Sequence, residues 1–237
     1  KWGGGESPLA SKSSWSLSLQ GGVGFASGVD YQSVNPQYAK VAPSVGAQVH
    51  YSLSRLGRLG IDYLYSSYSR EQRYSSVSLD ADGRAHLYGN QKVKYHRFGF
   101  SAECNLAEGL CHDRKSHWLN VYLGTGVGAY MSYGSEYSID AMEGGKVIVD
   151  GKEYPITGDL TFTDVKNLVV SSSGSLKSTN KNLDANCVYI PLSLSFEADV
   201  DRHVTLGVKG EIDYLVGKKD FMPSHTDHVL VTLGYKF

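Results

Sequence analysis

Residues 188–216 read VYIPLSLSFEADVDRHVTLGVKGEIDYLV. Val188, Ile190, Leu192, Leu194, Phe196, Ala198 and Val200 fall at every second position. Val204, Leu206, Val208, Ile212, Tyr214 and Val216 keep the same parity after Asp201, Arg202 and His203. A two-residue period sends successive side chains to opposite faces of a β-strand, so the stretch predicts two strands and a tight turn. The intervening positions are charged: Glu197, Asp199, Lys209, Glu211 and Asp213 all lie on the second face. One face is wholly apolar and the other ionic.

Six further segments carry the same alternation. Their apolar sets are Trp15, Leu17, Leu19, Val23 and Phe25; Val45, Ala47, Val49, Tyr51 and Leu53; Leu59, Ile61, Tyr63 and Tyr65; Leu119, Val121, Leu123, Val127, Ala129 and Met131; and, at the end, Val229, Val231, Leu233, Tyr235 and Phe237. A less regular fourth strand sets Phe98, Phe100 and Ala102 against Arg97, Gly99, Ser101 and Glu103. No charged residue enters an apolar set. The opposite faces hold Arg58, Asp62, Arg97, Glu103, Glu197, Asp199, Lys209, Glu211, Asp213 and Lys236.

Alternation alone is compatible with a soluble sandwich or barrel whose apolar face points inward. Three features favour the reverse. Several strands alternate for about 11 to 15 residues, which matches a tilted membrane crossing of about 9 to 11 better than an ordinary globular strand. The polar faces are crowded with Gly and Ser, which suits the narrow interior of a closed barrel of about eight strands. Connectors also alternate: 27–41, 69–91, 132–186 and 217–226 are long, 54–57 and 201–203 short, and 105–116 moderate. Short turns at one end and long loops at the other are the pattern of an outer-membrane barrel.

The prediction is an all-β chain: an eight-stranded antiparallel up-and-down transmembrane β-barrel over residues 15–237 with long extracellular loops. Residues 1–14, KWGGGESPLASKSS, form a tether or unstructured start, and 132–186 a long extracellular loop or hairpin. Within the latter, Asp150-Gly151 between extended runs signals a tight hairpin. The sequence DLTFTDVKNLVVSSSGSL (159–176) suggests another extended stretch. The expected location is the outer membrane of a Gram-negative cell, crossed several times.

Composition agrees. Tyr (17) supplies most of the aromatics, and Gly (27) is abundant. A net charge of -1 gives no field for nucleic acid. Mean hydropathy is -0.27 and no run approaches the length of a helical span. A membrane barrel is invisible to that scan, because its apolar residues are only every second one. A start at Lys1 without Met fits either a mature exported protein or a fragment.

The last strand, DHVLVTLGYKF, closes on Phe237 with Tyr235, Leu233, Val231 and Val229 at alternate positions before it. It resembles the C-terminal recognition strand by which the outer-membrane assembly machinery selects its clients. The glycine often found five residues before the terminal aromatic is Thr232 here. Ile190–Tyr214 resembles the penultimate hairpin of the small OmpA-like and OmpX-like barrels, particularly the "porin family" type of Bacteroidetes. The resemblance covers residues 15–237 as a pattern and is specific only over the last 50 or so. It implies a fold, a location, lipid and lipopolysaccharide as surroundings, and the barrel-assembly machinery as a partner during biogenesis. It implies no single activity.

Several constellations bear on chemistry. The lumen charges Arg58, Asp62, Arg97, Glu197, Asp199, Lys209, Glu211 and Asp213, with Glu103 and Lys236, form either a salt-bridged core or a narrow ion path. His50 and Ser52 share a strand face, and such a pair can activate a hydroxyl. They are expected in the lumen near the periplasmic end, away from outer-leaflet lipid, so ordinary hydrogen bonding is the expected role. Cys104 and Cys111 are spaced for a small disulfide loop or are two unlinked thiols, and Cys187 is expected as a half-buried structural thiol. Cys104, Cys111 and His112 lack the spacing of structural zinc. His225 and His228 are expected as solvated loop residues. No catalytic, cofactor or metal site is expected. The expected role is structural, anchoring or surface interaction, with a protein partner meeting the 132–186 loop or the N-terminal tether. Two rivals are a small pore or transport accessory and a lipid A-modifying enzyme.

Overall fold

The computed structural model describes residues 15–27, 38–71, 78–79, 84–110, 118–142, 146–149, 152–155, 168–170, 177–219 and 222–237. Eight long strands dominate: β1 (Trp15–Ser27), β2 (Ala42–Ser52), β3 (Gly57–Glu71) and β4 (Arg84–Asn105). They continue as β5 (Leu119–Met142), β6 (Ala185–Asp199), β7 (Val204–Val216) and β8 (His225–Lys236). Each pairs antiparallel with its neighbour in the chain, and β1 pairs with β8, so the sheet closes on itself. Closure removes the exposed backbone edges that a bilayer would not tolerate. Leu19 opposite Leu233 and Val208 opposite Val231 set the register at the seam and beside it.

Three connections lie at one end. Leu53 N donates to Gly57 O at 3.0 Å and Val200 N to Val204 O at 2.9 Å, each closing a tight turn. Between β4 and β5 sits the short helix α1 (Leu106–Leu110), where the Asn105 side chain accepts from Ala107 N at 3.1 Å and donates to Asn120 at 2.9 Å. The opposite, loop end carries the long connections.

Orientation of the faces decides what surrounds the barrel. Leu206 and Val208 are each 49% exposed, whereas Lys209 and Glu211 beside them are 3% and 5% exposed. The same holds around the wall: Leu17, Val45, Ile61, Phe100, Leu123, Leu192 and Val231 point out. A wall of this kind is stable only against hydrocarbon, so the membrane-facing reading is the correct one.

Toward the loop end the parity reverses. Val93, Tyr95, Tyr68, Tyr130, Leu183, Leu215 and Ala26 point inward and pack with Met222, while Lys92, Lys94, Asn182 and Asp184 point outward. Here the outer surface is wet, and the chain returns to the ordinary arrangement of apolar inside and polar outside. Strand four is irregular in sequence because this reversal falls within it, between Tyr95 inside and Phe98 outside.

The long strands also outrun the expected limits. β4 begins at Arg84, inside the expected 69–91 connector, and β5 continues to Met142, so the first part of the expected 132–186 loop or hairpin is strand. Arg84–Tyr88 pairs with Ser138–Met142, and Lys177–Asn182 joins the other edge of β5. A separate three-stranded sheet contains Lys146–Val149, Lys152–Pro155 and Leu168–Val170. Val149 faces Lys152 across the hairpin, with Asp150 and Gly151 themselves outside the described residues. The 1–14 segment also lies outside them.

Two local devices hold the wall between β4 and β6. A Cβ on Gly99 would stand 2.2 Å from the Tyr189 hydroxyl, so the absent side chain is what admits that ring. Pro191 has no N–H for the ladder, and Thr125 Oγ1 donates to its carbonyl at 3.0 Å.

Candidate functional site

The ten charges singled out by parity all line the lumen, and they gather in two layers. Near the turn end, Arg58 Nε donates to Glu103 at 2.6 Å and Nη1 to Glu197 at 3.0 Å, with its guanidinium 3.7 Å from the Tyr122 ring centroid. Lys236 reaches Asp199 at 2.5 Å at the rim. A bidentate arginine across three strands staples β3, β4 and β6.

The second layer is centred on Arg97, which is fully buried. Its guanidinium pairs with Glu211 and Asp213 and lies 3.6 Å from Asp62. Lys209 Nζ binds Glu211 at 2.7 Å, and the Tyr189 hydroxyl donates to Asp62 at 3.1 Å. An ion this deep is tolerable only among opposite charges, which the three carboxylates supply, and Lys209 offsets part of their excess negative charge.

Above it, toward the loop end, lies the inward apolar cluster. Tyr95 and Tyr130 stack with centroids 4.7 Å apart, and Tyr68 lies 6.1 Å from Tyr95. Met222 folds in from the β7–β8 connection and is fully buried. Its amide donates to Lys219 O at 2.9 Å, which shapes the turn that delivers it. Among the described residues, ion layers and aromatic layer occupy the interior at successive heights. The space among Ser18, Gln48, His50, Glu103 and Lys209 amounts to about 10 Å³, no more than one water needs.

Other residues singled out in the sequence are placed as follows. His50 is buried in the lumen, 3.6 Å from Glu103, while Ser52, two positions on along β2, is exposed at the turn-end rim. Ser52 is the last residue of β2, which accounts for its exposure. His228 is not a solvated loop residue: it is buried, 3.4 Å from Asp213 and within 3.3 Å of the Tyr95 hydroxyl. β8 begins at His225, earlier than the apolar pattern indicates, and this carries His228 into the barrel. His225 lies outside, 3.6 Å from Asp227. Cys104 is exposed on the outer wall, with Cys111 and His112 outside the described residues. Cys187 is half-buried against the aromatic cluster. Val229, Val231, Leu233, Tyr235 and Phe237 all face outward, and Phe237 N donates to Trp15 O at 3.0 Å.

Sequence reasoning missed the aromatic layer. Its signal was available in Val93 and Tyr95, whose parity opposes that of Phe98 and Phe100. A phase change within one strand marks where the environment of its faces changes.

A closed antiparallel sheet with a greasy exterior, an ionic interior and loops at one end defines a small eight-stranded outer-membrane β-barrel, crossing the membrane once per strand. The fold is that of Neisserial surface protein A, at a TM-score of 0.50 and 12% identity over 95% of this chain and 98% of that one. Further similar structures are OprG of Pseudomonas aeruginosa (TM-score 0.46, 10% identity, 97% and 98% covered) and Ail, the attachment invasion locus protein of Yersinia pestis (0.45, 8%, 94% and 97%). No family model and no curated protein matches the sequence.

Proposed function

We propose that the barrel is an anchoring and surface-interaction scaffold rather than a pore, with its loop end as the contact surface. The filled lumen carries this reading. Among the described residues, Arg58, Arg97 and their carboxylates block the axis at two heights, and Tyr68, Tyr95, Tyr130 and Met222 block it at a third. An ion crossing this interior would have to part several buried pairs at once, each costing several kcal/mol to separate, of order 3–5.

The strands that project past the lipid-facing band supply what a scaffold needs. β4, β5 and Lys177–Asn182 extend the wall outward as a sheet, and a partner able to add a strand would find backbone groups at its margin. The 132–186 region is therefore the proposed meeting place for a protein partner, and the N-terminal 1–14 segment a second one. The terminal strand ending in Phe237 is the proposed signal read by the barrel-assembly machinery. The lipid A-modifying alternative is disfavoured by the place of His50 and Ser52 at the turn end of β2, away from outer-leaflet lipid.

The test is electrical. Purified barrel reconstituted in planar bilayers is expected to give no stepwise conductance in molar salt. Regular steps that vanish on heat denaturation would overturn the scaffold reading in favour of a pore. Native co-purification in mild detergent, with and without residues 143–176, then tests whether a partner depends on the loop.

A further inference from the structure

His228 lies in the lumen between the Arg97 layer and the aromatic seal. Its Nε2 is 3.4 Å from Asp213 Oδ2 and 3.3 Å from the Tyr95 hydroxyl, and its Nδ1 is 3.4 Å from Ser44 Oγ. The side chain is buried, and a Cβ on Gly24 would stand 2.7 Å from Nδ1, so β1 leaves the ring no room to swing away.

Two independent observations bear on its protonation. The first is charge. The Arg97 layer sets Asp62, Glu211 and Asp213 against Arg97 and Lys209, three acids against two bases, which leaves it one positive charge short. Asp213 Oδ2 pairs with Arg97, accepts from Thr226 at 3.4 Å and faces His228, while Oδ1 meets no donor among the described residues. A buried carboxylate so placed favours a cation beside it.

The second is the direction of the hydrogen bonds. Ser66 Oγ donates to Pro43 O at 3.4 Å, and a carbonyl can only accept. The hydrogen of Ser66 is thereby committed, so its 2.8 Å bond with Ser44 is donated by Ser44. Ser44 has one hydrogen and can then only accept from His228, which puts a hydrogen on Nδ1. On the other side the Asp213 carboxylate also only accepts, which puts a hydrogen on Nε2. An imidazole with hydrogen on both nitrogens is a cation.

We infer that His228 is a buried proton-binding site: its imidazolium is the third cation of the Arg97 layer and ties that layer to the aromatic seal through Tyr95. The groups facing it are Asp213 of β7, Tyr95 of β4 and Ser44 of β2, with Thr226 of its own strand on the same Asp213 oxygen. Glu211 is within electrostatic reach and favours the proton. Arg97, across the shared Asp213 oxygen, opposes it, but three carboxylates surround that guanidinium. Asp62 is the rival holder of a proton. It receives the Tyr189 hydroxyl at 3.1 Å and lies 3.6 Å from Arg97, so its anion is already served. The stabilisation from His228 is present while the ring is charged and is lost as rising pH removes its proton. The closed lumen is therefore tighter in mild acid than in base.

The experiment is NMR of the full barrel in detergent micelles with 15N-labelled histidine. The pair of ring signals missing from His228→Gln identifies the site. At about pH 7 those signals are expected to be those of an imidazolium, and the signals of a neutral ring with one bare nitrogen overturn the inference. Asp213→Asn restores the charge balance without the proton, so His228 should become neutral at the same pH; an unchanged imidazolium would place its cause elsewhere and overturn the inference. If His228→Gln does not fold, Ser44→Ala supplies the assignment, because it removes the partner of Nδ1 alone. No movement of any histidine signal in that variant overturns the inference as well. In urea titrations of the barrel in vesicles, the wild-type midpoint should fall by about 0.5 M more than that of His228→Gln between about pH 6 and about pH 8.5. An equal fall in both overturns the inference.

Discussion

Replacing Arg97 with methionine removes one cation from among Asp62, Glu211 and Asp213 and keeps much of the side-chain volume. The guanidinium is fully buried, so bulk water cannot take its place at those carboxylates. Removing one member of a buried ion pair costs about 3–5 kcal/mol, because the remaining charge is left without a partner. Lys209 still holds Glu211, which keeps the loss within that range. With a urea dependence of about 2 kcal/mol per molar, the unfolding midpoint should fall by about 2 M. Urea titration of the barrel in lipid vesicles, followed by the fluorescence of Trp15 and Trp118, reads this directly. Adding Asp213→Asn to the same variant should restore part of the midpoint, since that orphaned charge is then gone while Lys209 keeps Glu211. A loss below about 1 kcal/mol, the scale of a solvated pair, would refute the reasoning and imply a water-filled lumen.

Val208→Arg places a charge on the lipid-facing wall and should cost about 2–4 kcal/mol in the same titration. A change within about 0.5 kcal/mol would mean that this face meets water. Gly99→Val should displace the Tyr189 ring, whose hydroxyl is 2.2 Å from where a Cβ would stand, and cost about 1–3 kcal/mol. An unmoved midpoint would show that the ring relocates freely. Deleting Phe237 should lower the share of newly made chain that becomes heat-modifiable in cells, and an unchanged share would remove the terminal aromatic from the assembly signal.

The membrane-crossing part was legible because lipid on one side and a narrow interior on the other force strict alternation. The sets from Trp15 to Phe25 and from Val204 to Val216 both lie on the outer wall, and the ten charges that parity assigns to the other face, from Arg58 to Lys236, point inward. Above the lipid that constraint lapses. Residues 84–92 and 132–142 remain hydrogen-bonded strand, yet their faces no longer have to differ in the membrane sense, so the periodic signal fades while the ladder persists. His228 was misplaced for the same reason: the apolar series of β8 starts at Val229, but the strand starts at His225. Which lumen charges meet was not legible either. Parity assigns Arg97 and Asp213 to one face each, but only closure of the sheet brings positions 116 residues apart together.

The Met222 closure also bears on how the protein can vary. Tyr68, Tyr95 and Tyr130 seal the mouth from the strands, and Met222 ties the β7–β8 connection into the same seal, so most of the sealing is delegated to the wall. A connection that adds nothing to this layer can then change in length and sequence while the barrier stays intact, whereas the β7–β8 connection has to keep Met222 in place.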